Sequence, residues 1–210
     1  MTSGSTTVTT ATHVVGTNIP DSWAWIRTDL LVRIAPFAGA FVIAYEVLSR
    51  PAGLGLSFGR PGIQLLFAAV AAPFLFFAAV VVQLWLTRRR GALSDPANGR
   101  DAWFQAGFYA VNGPVEEAFF RGLLQGGLGM LWGPLAGFAI GTVTYVLYHR
   151  LGRWTWSDTF ATALAGVPLG LAFWLLPGPP SLLGVSIAHV AATCGFLGPG
   201  PYLLNKLRLL

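Results

Sequence analysis

The sequence predicts an all-α fold, a polytopic bundle of about six transmembrane helices with a polar site enclosed between them. Three observations carry this expectation. Residues of the AVILMFWYC class make up 54% of the 210 residues and charged residues only 10%, against about a quarter charged in a soluble chain. The apolar residues fall into long runs, the first two of which reach the ~20 residues that a spanning helix needs. Basic residues cluster between those runs, as the positive-inside bias requires.

The same composition excludes other classes. Mean hydropathy of +0.63 rules out a water-soluble globule. The 26 Gly and 14 Pro follow no triplet period, and a single cysteine, Cys194, cannot staple a secreted scaffold. A net charge of +5 could suggest nucleic acid in a soluble protein. Basic residues clustered beside apolar runs instead read as contacts to lipid headgroups, so the bilayer is the expected partner and nucleic acid is not.

Each element follows in order. Met1 to Pro20 is Ser/Thr-rich, lacks the apolar core and basic start of a signal peptide, and reads as a flexible polar tail. Residues 21–210 read as a single transmembrane helical domain. Its first span runs from about Leu30 to Leu48. A loop with Arg50, Pro51 and Arg60 follows, and a second span covers Ile63 to Leu86. Arg88, Arg89 and Arg90 open a loop rich in turn formers that runs to Arg100. Ala102 to Val111 reads as an interfacial or re-entrant helix, ended by the breaker Asn112-Gly113-Pro114. Pro114 then suits the first position of a third span, Val115 to Leu131. Further spans are expected over Leu135–Tyr148, Phe160–Leu176 and Leu182–Leu197. With both termini cytoplasmic, the loops holding Arg88–Arg90, Arg100, Arg150 and Arg153 lie inside together with Lys206 and Arg208. Only Arg50 and Arg60 then fall outside.

The functional signal is the ionisable residues inside apolar runs, since each costs at least about 2.5–3.5 kcal/mol at bilayer depth. Two of the three glutamates, Glu116 and Glu117, are adjacent. Glu117 and Arg121 stand four apart, acid before base, the favourable order for a pair on one helical face. Glu116 points about 100° away and has no such partner in the sequence. The bland alternative, acids decorating a helix start, loses force because an arginine follows within an apolar run. His149 ends the run Tyr145-Val-Leu-Tyr-His. His189 lies well inside Leu182–Thr193, with Thr193 one turn further on the same face. His149 alone could belong to an aromatic and basic belt, and His189 alone could serve helix packing. With almost no other buried charge expected, two carboxylates, an arginine and two histidines on three helices suggest a hydrolytic site. A carboxylate can activate water, and imidazoles can orient it or stabilise an oxyanion. A divalent metal held by these groups is a less favoured alternative, because adjacent carboxylates on a helix diverge. No serine elbow, zinc-protease helix or P-loop is present.

These motifs resemble the CPBP intramembrane proteases, which include type II CAAX prenyl endopeptidases and bacteriocin-processing or immunity homologues. The E-E-x-x-x-R element is complete as Glu116-Glu117-Ala-Phe-Phe-Arg121, with Pro114 before it and Gly122 after it. F-x-x-x-H is represented by Tyr145 to His149. H-x-x-x-N/D is represented by His189 to Thr193, with threonine in place of Asn or Asp. The resemblance covers about residues 102–196. It implies an intramembrane endopeptidase in which Glu116 activates water, His149 helps hold it, and His189 stabilises the oxyanion. Thr193 stands at a second oxyanion position, Glu117 and Arg121 form a supporting ion pair, and no cofactor is needed. It further implies a membrane-anchored or lipidated protein or peptide as substrate, processed at a CAAX tail, leader or sorting signal. A multi-pass location in a bacterial cell membrane fits the Ala/Gly/Arg-rich composition with its single lysine. Two other readings remain, a non-proteolytic membrane adaptor or immunity protein and, more distantly, a proton relay or transporter.

Overall fold

The computed structural model describes residues 13–49, 51–152 and 154–209. The first twelve residues of the expected tail, together with Arg50 and Arg153, lie outside the described residues. Strand β1 (His13–Thr17) pairs in parallel with β2 (Ala92–Pro96), from His13 opposite Ala92 to Thr17 opposite Pro96. The rest of the architecture is helical. In chain order it comprises α1 (Ile19–Val47), α2 (Pro61–Arg90), α3 (Gly99–Glu117, continued by π turns over Ala118–Gly127 and a final turn over Leu128–Trp132), α4 (Pro134–Tyr148), α5 (Trp156–Leu175), α6 (Leu183–Phe196) and α7 (Pro199–Lys206). This is an all-α membrane bundle.

Three of these helices, α1, α2 and α5, are long and apolar enough to cross a membrane, and a fourth span results if the bent pair α6–α7 counts as one. The six expected from hydropathy are therefore not all recovered by length and composition. Helix α4 is 15 residues long, about 22 Å at 1.5 Å per residue, short of the ~30 Å hydrocarbon layer. Helix α3 with its continuation carries Arg100, Asp101, Glu116, Glu117 and Arg121.

Two sequence expectations are corrected. The polar tail was expected to reach Pro20, but 13–17 form β1 and the helix already starts at Ile19. Asn18 caps it by accepting the Asp21 amide, with Asp21 bonding back to the cap. The break at Asn112-Gly113-Pro114 does not occur, because α3 runs straight through it. Proline already has a helical φ, and an interrupted backbone inside a bilayer would leave polar groups without partners. Gly113 also lets α6 approach, since a Cβ there would lie 2.8 Å from Cγ2 of Val190.

Helices α2 and α6 form the most extensive packing in the bundle. Gly184 and Gly195 of α6 lie directly against the carbonyls of Gln64 and Phe76, the small-residue contact typical of helices in lipid. The opposite side of α2 presents Leu66, Val70, Phe74, Phe77 and Val81 outward, an apolar stripe suited to lipid tails. The core beneath joins Phe41, Leu54, Leu75, Leu169, Phe173 and Val185. The two ends of the bundle differ in charge. At one end Arg90 pairs with Asp158 at 2.7 Å, Arg88 donates to the Leu209 carbonyl and Arg150 donates to that of Trp154. At the other end the segment around Gly55 meets that around Ser181, with Leu182 N–H bonded to the Gly55 carbonyl and Leu56 bridged to Ser181.

Candidate active site

The acid pair sits midway along α3, where the helix changes from α to π turns. A π turn forms i→i+5 bonds and is common where a helix presents functional groups. Both carboxylates are buried, Glu116 at 1% exposure and Glu117 at 0%. They face different ways, as their 100° offset requires. Glu116 lines a cavity of about 1040 Å³ together with Asn112, Tyr145, Tyr148, His149, His189 and Thr193, and Glu117 and Arg121 do not line it.

Glu117 belongs to the wall behind that cavity. Its Oε2 lies 3.3 Å from Arg121 Nε, and Arg121, also 0% exposed, donates from Nη2 to the Gly166 carbonyl at 3.0 Å. The guanidinium lies over the Tyr145 ring, 4.9 Å from its centroid, which offsets part of its desolvation. The other carboxylate oxygen of Glu117 holds His189 Nδ1 at 2.6 Å. A carboxylate accepts, so Nδ1 carries the proton in this contact. The Nε2 of a neutral His189 is then an acceptor, suited to the Tyr145 hydroxyl 3.4 Å away. Glu116 Oε2 is 3.5 Å from the same Nε2. The structure therefore brings Glu116, Glu117, Arg121 and His189 together.

His149 closes α4 and lines the same cavity. Its Nδ1 bonds the Tyr145 carbonyl at 2.8 Å. A carbonyl only accepts, so Nδ1 is the donor and Nε2 of the neutral ring keeps its lone pair. Tyr148 and Trp154 flank the ring, with centroids 4.3 and 5.0 Å away. Thr193, on α6, is also in the cavity wall, one turn beyond His189.

The expectation that Glu116 has no partner is corrected. Arg33, from a π turn of α1 (Leu30–Ile34), donates to Glu116 Oε1 and to the Tyr148 hydroxyl, and Tyr148 also donates to that Oε1. Arg33 is held in turn by Asp29, one turn back on its own helix. Nor are the expected site residues almost the only buried charges, because Asp95, Asp101 and Asp158 are buried too. Arg33 carried a readable signal, a cation between Val32 and Ile34 inside an apolar run. What the sequence could not supply was its partner, 83 residues away. Among the described residues no group of three or more His, Cys, Asp or Glu side chains is arranged to hold a metal ion.

Residues 98–194 match the model of the family described as type II CAAX prenyl endopeptidase, Rce1-like. The matched stretch, a little under half of the chain, is similar to this family. No curated protein and no solved structure matches it. The matched segment starts at the cap of α3 and ends in the last turn of α6, so it contains Glu116, Asp158, His149 and His189 of the cavity wall, whereas Asp29, Arg33 and Asp95 precede it. The family supports a CAAX endopeptidase type of activity and a membrane setting.

Proposed function

We propose that the protein is an intramembrane endopeptidase that uses Glu116 to activate water against a peptide bond of a membrane-anchored or lipidated protein. The observation that carries this reading is the division of labour between the adjacent acids. Glu116 alone reaches the cavity, beside both histidines, and Glu117 is tied to Arg121 and His189 behind it. Glu116 takes a proton from water as the oxygen attacks the carbonyl carbon. The carbonyl electron pair becomes an oxyanion, and its return expels the amine as the C–N bond breaks. The proton held by Glu116 passes to that amine, so one water is consumed and no charge accumulates. His149, with a free Nε2, orients the water. Glu117 and Arg121 fix the His189 ring, and Thr193 offers a hydroxyl to the carbonyl oxygen. Low dielectric around the cavity strengthens each of these interactions. The reaction is proposed to need no metal, so a chelator should leave it unchanged.

In the substrate, a lipidated or membrane-embedded segment would lie against the apolar flank, with the cleaved peptide in the polar cavity. The proposed location is a bacterial cell membrane with both termini cytoplasmic. The contact of Arg33 with Glu116 also favours a second reading, a non-proteolytic adaptor or immunity protein in which the acid is permanently neutralised. One experiment separates the two. Peptide termini in membranes of cells expressing wild type or Glu116→Gln at matched levels should differ, with a set of termini lost in the variant. Identical termini, with full rescue of a deletion phenotype by Glu116→Gln, would establish the adaptor.

A further inference from the structure

Asp29 and Arg33 line the cavity beside Glu116. They precede the segment that the family model matches, and the mechanism above gives them no part. The two stand one turn apart on α1, and Asp29 takes both edges of the guanidinium fork. Arg33 Nε donates to Asp29 Oδ1 at 2.7 Å, and Nη2 donates to Oδ2. A two-point contact of this kind fixes the plane of the guanidinium. It leaves Nη1 for the reacting side, where it donates to Glu116 Oε1 and to the Tyr148 hydroxyl. Tyr148 donates to the same Oε1. Two donors engage both lone pairs of Oε1, so Oε2 is the oxygen of Glu116 that can take a proton from water.

The charges lead to a second consequence. The Glu116 side chain is 2% exposed, and those of Asp29 and Arg33 are 24% and 25% exposed, so all three are at least partly shielded from water. When Oε2 takes a proton, Glu116 becomes neutral and Arg33 loses it as a counterion. Asp29 keeps the cation matched through that step, so no uncompensated charge is left in the wall. With Asp29 gone, the whole fork would fall to Glu116, and each proton transfer would have to break that ion pair. A pair four residues apart that served only the helix would add little to stability and nothing to the rate.

We propose that Asp29 is a positioning residue of the peptidase, acting through Arg33 to reserve Oε2 of Glu116 for water and to balance the cation while Oε2 holds the proton. The water O–H bond breaks as its oxygen bonds the carbonyl carbon, and the proton later passes from Oε2 to the departing amine, which restores the Asp29–Arg33–Glu116 cluster. This inference rests on the peptidase reading. Its test therefore begins with a peptide spanning a terminus that depends on Glu116 in cells, cleaved by the full-length protein in phosphatidylethanolamine and phosphatidylglycerol vesicles. Asp29→Asn keeps the shape and removes the charge. It should lower kcat at least about tenfold, because a charge in direct contact outweighs that factor even with protein-like screening. KM should stay within about threefold, since substrate binding is not what is lost. Asp29→Ala answers the same question if the asparagine variant does not fold. Arg33→Gln, in which Tyr148 still holds Oε1, should retain measurable cleavage. In that background there is no cation to match, and adding Asp29→Asn should change kcat by less than about twofold. Four results would each overturn the proposal while leaving the peptidase reading in place. They are a kcat within about threefold of wild type for Asp29→Asn, a loss carried wholly by KM, an equal loss with and without Arg33, and no cleavage by Arg33→Gln. Absence of any Glu116-dependent terminus would overturn both.

Discussion

Arg121 is a guanidinium with no exposed surface, and its charge is matched by Glu117 and a single backbone carbonyl. Removing one member of a fully buried pair leaves the other uncompensated, at a cost of about 3–5 kcal/mol. Arg121→Ala should therefore lower the melting temperature in detergent as well as abolish activity, and an unchanged melting curve would argue against the pair. The Arg121 pairing was legible because both partners lie within one turn. Glu117 holding His189 was not, because the two are 72 residues apart and the spacing says nothing about which helices adjoin. Arg33 illustrates the same limit, since a cation within an apolar run announces that a partner exists without naming it. Asn112 was read as part of a breaker, and its polar character was assigned to a turn instead of a cavity.

Helices α2 and α6 depend on backbone contact at glycines. Gly195→Ala would place a Cβ against the Phe76 carbonyl, which cannot move aside as a side-chain end could. It should cost about 1–3 kcal/mol, as overpacking does. Gly39→Ala, with nothing within 4 Å of the added carbon, should be neutral or slightly stabilising, and thermal unfolding of the two variants checks the contrast. Hydropathy placed α2, α5 and α6 within a few residues, since a run of apolar side chains in lipid has few alternatives to a helix. It failed at Pro114, where turn statistics from aqueous loops predicted an end. It also could not foresee the π turns at Leu30–Ile34 and Ala118–Gly127, because a pattern read at 3.6 residues per turn carries no sign of a wider one. Those two segments carry Arg33 and Arg121, the two cations of the site.

The bundle as a whole has one end where Arg88, Arg90 and Arg150 cluster and another where Arg60 lies beside Gly178, and the cavity reaches the first. From Glu116 and His189 it extends past Asn112, Gln105 and Thr17 to Asp95, Arg90 and Asp158, so its polar access lies at the end marked by Arg88–Arg90. On the proposed orientation, the positive-inside bias predicts that this end faces the cytoplasm. In a Cys194→Ser background, Pro177→Cys should react with a membrane-impermeant thiol reagent on intact cells. Arg89→Cys should react only after permeabilisation, and the reverse pattern would invert the topology. The ion pair between Arg33 and Glu116 joins residues made at very different moments. At about 5–20 residues per second, the 83 residues between them take about 4–17 s to synthesise, so the first helix must meet the membrane long before its distant counterion is made. Asp29, four residues ahead of Arg33 and bonded to it, is available from the outset. A pair four residues apart on one helix can therefore offset the charge of Arg33 before Glu116, on the third helix, exists.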